Sequence, residues 1–195
     1  ERLGEPVGVG SVRFTLLPPE LKLEHVSIGR AQDVRIEKAT VAVSSTSILD
    51  DVKEIDEVEL HGITIDQDAI PRFAAWAQAP PPASRMRVAR IRMTLIKLAL
   101  RGAEIPSMDG VVTFGKDGGW TKLSVRDGKA TLELLPLKEP GQISVKFTAR
   151  NWQPPVGPAY EFTDIEVEAT ATREQASLTN IDARVFDGAR RNAAW

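Results

Sequence analysis

The stretch Met86-Arg-Val-Ala-Arg-Ile-Arg-Met-Thr-Leu-Ile-Lys-Leu-Ala-Leu100 decides the fold class. Apolar residues recur at every second position, as in a strand with one buried face. The phase changes twice. Met86 and Val88 share one parity, Ile91, Met93 and Leu95 the next, and Leu98 and Leu100 a third. A one-residue slip turns every side chain to the other face, so each change marks a β-bulge. At about 3.3 Å per residue the stretch would span roughly 50 Å, far beyond the ~5–6 residues of a mean strand. Long, bulged strands predict a strongly curved sheet. The alternative is two shorter strands with an irregular joint.

The same alternation extends outward. Val12, Phe14 and Leu16 precede Pro18-Pro19, and Leu21, Leu23, Val26 and Ile28 follow. Val34 and Ile36 share one parity, Val41 and Val43 the other. Val58 and Leu60 are out of phase with Ile63 and Ile65, the change falling near Gly62. Leu132/Leu134, Ile143/Val145/Phe147 and Ile165/Val167 continue the pattern, with a last run from Ala176 to Phe186. Asp117-Gly118-Gly119 and Asp127-Gly128 read as tight turns. Two short helices are expected. One runs over Ile48–Lys53, capped by Thr46 or Ser47; the other follows Asp68, with Ile70, Phe73, Trp76 and Ala77 on one face. The predicted class is therefore mainly β (α+β): a long, curved, bulged antiparallel sheet with two short helices. Residues 1–79 form its first segment, the Pro-rich run 80–84 a linker, and 85–195 a second segment continuing the same sheet.

The 195 residues carry 25 Lys plus Arg against 27 Asp plus Glu, a net charge of -2. That balance argues against a nucleic-acid partner, which selects a basic excess. With 0 Cys, zinc ribbons, Fe–S clusters, thiol catalysis and disulfide scaffolds are excluded. No apolar run approaches the ~18–20 residues of a membrane span, and no signal peptide is visible. A chain that opens on Glu1 reads as a mature product or as a piece of a longer protein, with any membrane anchor outside it.

Patterns that carry chemistry are few in the sequence. His25 and His61 belong to no triad pattern, and two histidines without cysteine make a poor transition-metal site. The carboxylates between Asp50 and Glu59 lack the spacing of a calcium loop. Gly8-Val9-Gly10 opens a G-x-G-x-x-G pattern that Arg13 breaks, and no P-loop or G-x-S-x-G is present. No catalytic residue, metal ligand or cofactor is therefore assigned, and the chain is read as a non-enzyme. Cross-strand carboxylates together with Trp120 or Trp152 would instead suit a carbohydrate-active enzyme or a lectin. Arg85, Arg87, Arg90, Arg92, Lys97 and Arg101 make one strand basic, suited to an anionic headgroup, to a partner chain, or to guarding an edge.

Several phrases resemble the AsmA-like family of bacterial envelope proteins. They are Leu21-Lys-Leu-Glu-His-Val-Ser-Ile-Gly29, Val34 through Val43, and Val58-Glu-Leu-His-Gly-Ile-Thr-Ile65. Pro106 through Phe114, Asp127 through Pro136, Ala149-Arg-Asn-Trp152 with Gly157-Pro158, and Ile181-Asp182 continue the likeness. The family often has Gly-Gly where this chain has Asp187-Gly188. The resemblance covers most of residues 20–188 through loose hydrophobic phrases. It implies a periplasmic, taco-like β-groove, tethered to the inner membrane by a segment outside this sequence. It also implies a role in phospholipid transport toward the outer membrane and in outer-membrane biogenesis and homeostasis. On that reading Ile91, Met93, Leu95, Ile143, Val145 and Phe147 are the groove-lining candidates, and Arg87, Arg90 and Arg92 the headgroup candidates. The competing role is an envelope module that binds protein partners through its sheet edges.

Overall fold

The computed structural model describes residues 6–44, 52–70, 86–139, 141–155, 161–172 and 175–185. The chain is mainly β. Thirteen strands form one mixed, largely antiparallel sheet. They are β1 (Val7–Leu16), β2 (Pro19–Ile28), β3 (Val34–Val43), β4 (Lys53–Asp66), β5 (Met86–Val88), β6 (Arg90–Leu100) and β7 (Ala103–Glu104). Then come β8 (Met108–Phe114), β9 (Trp120–Arg126), β10 (Ala130–Pro136), β11 (Ile143–Trp152), β12 (Phe162–Ala171) and β13 (Ala176–Val185). The spatial order is β1-β2-β3-β4-β6-β8-β9-β10-β11-β12-β13, with β5 beside β4 and β7 beside β6. Among the described residues the sheet does not close, and β1 and β13 are its two edges. Strands contact chiefly their ladder neighbours, so the described residues build a single layer.

Turn chemistry explains the short links. Asp127 Oδ1 accepts from the amides of Lys129 (3.0 Å) and Ala130 (2.8 Å), while Gly128 takes a φ of +93°. Asp117 Oδ1 likewise accepts from Gly119 N at 3.1 Å. Both turns expected from the sequence are present.

The expected antiparallel sheet contains one correction. β4 runs parallel to β5 and β6. This ladder also joins residues before and after the Pro-rich run directly, so the two sequence segments share one sheet. The run 80–84 itself lies outside the described residues. The first expected helix falls largely outside them as well, and Lys53, its last residue, is instead the first of β4. Of the second, the described part is a 3-10 turn, Gln67–Ala69, followed by Ile70 in helical conformation; Phe73, Trp76 and Ala77 are not described.

The phase changes of the sequence align into one line across five strands. The pairing between neighbours skips Gly10, His25, Glu37, Gly62 and Leu95 in turn. His25, Gly62 and Leu95 adopt φ values of 55°, 66° and 54°. Because each strand carries its irregular residue in the same transverse row, registers on either side remain matched. Apolar side chains thereby stay on one face along the whole strand. A second irregular line lies at paired positions Asp56 and Ala89, where β5 gives way to β6. Ala89 N donates to Ile55 O (2.9 Å) and Ala89 O accepts from Phe114 N (3.0 Å), and the β4 register continues unchanged. The Met86–Leu100 stretch is thus two strands with an irregular joint, the second bulged once.

The buried core sits at one end of this face. Val26, Val34, Ile36, Ile63 and Ile96 cluster beneath Ala69, itself fully buried. The 3-10 turn therefore caps the core at the point where the chain leaves β4.

Candidate functional site

Register converts separate alternations into a surface. One transverse row reads Val12, Leu23, Ala39, Leu60, Met93, Gly110, Val125, Leu132, Phe147, Val167, Ile181, one residue from each of eleven strands. Two residues along each strand, allowing for a bulge in β13, a second row reads Phe14, Leu21, Val41, Val58, Ile91, Val112, Leu123, Leu134, Val145, Ala169, Leu178. Neither row contains a polar side chain. The row between them is polar but for Val111: Arg13, Lys22, Thr40, Glu59, Arg92, Val111, Ser124, Glu133, Lys146, Glu168, Asn180. Period-two alternation sends it to the opposite face. Ten strand spacings of about 4.8 Å make the apolar band roughly 48 Å long.

The interior band residues are half-buried or, as at Ala39 and Gly110, buried, whereas Val12 and Phe14 at one edge are 62% and 60% exposed and Leu178 and Ile181 at the other 58% and 55%. The difference has a lateral cause. An interior residue is flanked by strands on both sides, an edge residue by one. One flank of the band is filled, by Ala69 over Ile63 and Ile96 and, near β11 and β12, by an aromatic cluster. There Trp152 packs edge-on to Phe147 at 5.1 Å between ring centroids and lies 6.4 Å from Phe162.

Of the six groove candidates, Met93 and Phe147 lie in the first row, Ile91 and Val145 in the second, and Ile143 flanks the second on the same face. Leu95 does not join them. It is 44% exposed in a left-handed conformation, its amide donating to Asp109 Oδ1 at 3.2 Å. The bulge falls at Leu95 itself, so Ile96, 6% exposed, takes the inward place. A Cβ built on Gly110 would meet Met93 Cε at 3.0 Å and Ile96 Cδ1 at 3.2 Å, which puts both side chains on one face.

The headgroup candidates are placed elsewhere. Arg90 and Arg92 lie on the polar face, where each guanidinium Nε approaches Glu57, at 3.2 and 3.1 Å. Arg87 is exposed beside Glu54 in the parallel ladder. The three arginines alternate with the apolar residues and so point away from the band. The alternation itself carried this signal.

The polar face is tied by cross-strand ion pairs. Lys146 bridges Glu166 and Glu168, and their carboxylates hold its ammonium pKa above the ordinary lysine range. The Ser11 hydroxyl, donating at 2.9 Å, and then Arg13 lower the pKa of Glu24. A hollow of about 750 Å³ on this face is lined by Lys129, Arg150 and Arg184 together with Asp164, Glu166 and Asp182. Arg150 pairs with Asp164 at 3.3 Å, so the hollow has no excess of either sign. Among the described residues no group of three or more His, Cys, Asp or Glu is placed to hold a metal ion, and no helix is long and apolar enough to cross a membrane. No known family profile, curated protein or solved structure matches the chain.

Proposed function

We propose that the apolar band carries the acyl chains of phospholipids between bacterial membranes, as a periplasmic carrier and not an enzyme. The observation that supports this reading is the pair of apolar rows crossing the eleven strands of the main path without one polar side chain. A surface of that size is not left against water without a ligand or a partner. Each methylene placed on it contributes about 0.8 kcal/mol, so tens of methylenes make unassisted escape slow. Translation along the rows keeps the buried area nearly constant. Lipid therefore moves across the strands, from one edge toward the other. The polar headgroup stays in water rather than on Arg87, Arg90 or Arg92. The AsmA-like phrases of the sequence point to the same role in outer-membrane homeostasis.

Native mass spectrometry of the purified chain, followed by lipid extraction, tests the proposal. Phospholipid retained at a defined stoichiometry is the expected result. Val125→Glu or Phe147→Glu, in the middle of the first row, should abolish retention, and Ser124→Lys on the opposite face should leave it intact. Circular dichroism checks that each variant keeps its strands. A lipid-free mass, with no uptake from phosphatidylethanolamine–phosphatidylglycerol vesicles, overturns the reading.

A further inference from the structure

Among the described residues the two edges of the sheet are long strands without proline or lysine, β13 being bulged once at Thr179. Natural edge strands are short, or carry proline, lysine or inward charges that discourage pairing. β1 is ten residues long, contains no proline, and has Arg13 as its one charge. Val7, Val9, Val12, Phe14 and Leu16 alternate along it, 42–74% exposed. β13 is also ten residues long and free of proline, has Asp182 and Arg184 as its charges, of opposite sign, and exposes Leu178, Ile181 and Val185.

We propose that β1 of one chain pairs with β13 of a second copy, in a head-to-tail arrangement that extends the sheet. Direction supports this occupant. Along the eleven-strand path nine junctions are antiparallel and one, β4 with β6, is parallel. Nine reversals leave β13 running opposite to β1. A second copy placed alongside with its apolar face on the same side then meets the first in antiparallel register. Had every junction been antiparallel, the edges would meet parallel. The parallel crossover therefore fits the two edges to each other.

Side chains agree with this register. Val12 and Ile181 are the two ends of the first apolar row, and Phe14 and Leu178 the two ends of the second. Docking in row brings Ile181 against Val12 of the next copy and Leu178 against its Phe14, and both rows continue across the junction. On the other face Arg13 falls opposite Asn180, with Asp182 its diagonal neighbour, an opposite-charge pair of the kind that stabilises adjacent strands. The contact is heterologous, since each copy offers two different edges, and it builds rings or open assemblies rather than isologous dimers. It does not depend on lipid carriage.

The chain contains no cysteine, so a disulfide reports the register cleanly. A Val12→Cys chain is mixed with an Ile181→Cys chain under a glutathione redox buffer. Antiparallel partners sit about 4.5–5.5 Å apart between Cα atoms, within disulfide reach. The expected product is the mixed 12–181 dimer in excess over either homodimer. Predominance of 12–12 dimers would mean an isologous β1 contact and overturn the proposal, and absence of any cross-link overturns it equally.

Sedimentation without cysteines gives a second reading. The wild-type chain should rise in mass with concentration. Val12→Lys/Phe14→Lys and Leu178→Lys/Ile181→Lys should each remain at 21.3 kDa when alone. Mixed, they should form a 1:1 dimer and nothing larger, because each retains one intact edge. Monomers in the mixture and in the wild type at all concentrations refute the contact. These positions are already exposed, so lysine there leaves the fold in place.

Discussion

Gly62 lies beside Glu37 in the gap of the β3–β4 ladder, and a Cβ on Gly62 would sit 2.4 Å from Glu37 Cδ. With its φ of +66°, the position favours glycine for backbone reasons first. A left-handed L-residue costs roughly 1–2 kcal/mol. The steric part is smaller, because the exposed Glu37 side chain can swing away. Gly62→Ala should therefore lower the unfolding free energy in urea by about 1–2 kcal/mol, and Gly62→Asn by less, since asparagine tolerates this region. Adding Glu37→Ala should recover little. Equal stability of Gly62→Ala and wild type would contradict the left-handed bulge.

Leu95 and its neighbour Ile96 make the sharpest test of the bulge line. Sequence parity places Leu95 inward with Ile91 and Met93; the structure places Ile96 there instead. Ile96→Ala should cost about 2–5 kcal/mol, as for a buried aliphatic side chain. Leu95→Ala should change stability by less than about 0.5 kcal/mol. Leu95→Gly should be neutral or stabilising by up to about 1 kcal/mol, because it relieves a left-handed conformation at an exposed site. The reverse ranking would put the phase change after Leu95, where the sequence alone sets it.

The outcome at Leu95 illustrates what alternation does and does not encode. Alternation in Leu21–Ile28, Val58–Ile65 and Ile143–Phe147 identified strands and inward residues correctly, because a half-buried strand has few other ways to arrange its side chains. It also registered phase changes near Gly62 and between Val34 and Val43. It did not locate the bulge to the residue, since Leu95 is apolar and fits either phase. Nor did it disclose that Gly10, His25, Glu37, Gly62 and Leu95 stand in one line. That depends on pairing between strands far apart in the chain, which no local pattern carries. The parallel β4–β6 ladder was hidden for the same reason. The arginines at 87, 90 and 92 were the opposite case: their alternation with Val88, Ile91 and Met93 already assigned them to the other face.

Two polar-face groups give opposite pH dependences. The Ser11 hydroxyl and Arg13 hold the Glu24 carboxyl below its ordinary value of about 4.3. Its contribution to stability is complete above that ordinary value and disappears as pH falls through the lowered one. Lys146 is raised by Glu166 and then Glu168. Its contribution is complete below the ordinary lysine value of about 10.4 and disappears as pH rises through the raised one. NMR titration should find that Ser11→Ala moves the Glu24 carboxyl upward. Glu166→Gln with Glu168→Gln should move the Lys146 ammonium downward. A Glu24 titration unchanged by Ser11→Ala would remove the hydroxyl as its cause.

If acyl chains occupy the band, lipid must stabilise the fold through the band residues and not through the core. Val34 is 1% exposed and Ile63 3%, so truncating either to alanine costs stability with or without ligand, by roughly 1–5 kcal/mol. Leu132 is half-buried among its lateral neighbours, and its truncation should cost less in the lipid-free protein. A ligand that binds only the folded state adds RT ln(1 + [L]/Kd), about 2.7 kcal/mol at a hundredfold excess over Kd. Short-chain phosphatidylglycerol below its micellar concentration should therefore raise the wild-type Tm. The rise should be preserved in Ile63→Ala, whose loss is intrinsic, and diminished in Leu132→Ala, which removes contact area from the band. It should vanish in Val125→Glu. Equal Tm rises in wild type and Val125→Glu would place the lipid off the apolar rows, and thermal-shift measurements on the four proteins decide between these outcomes.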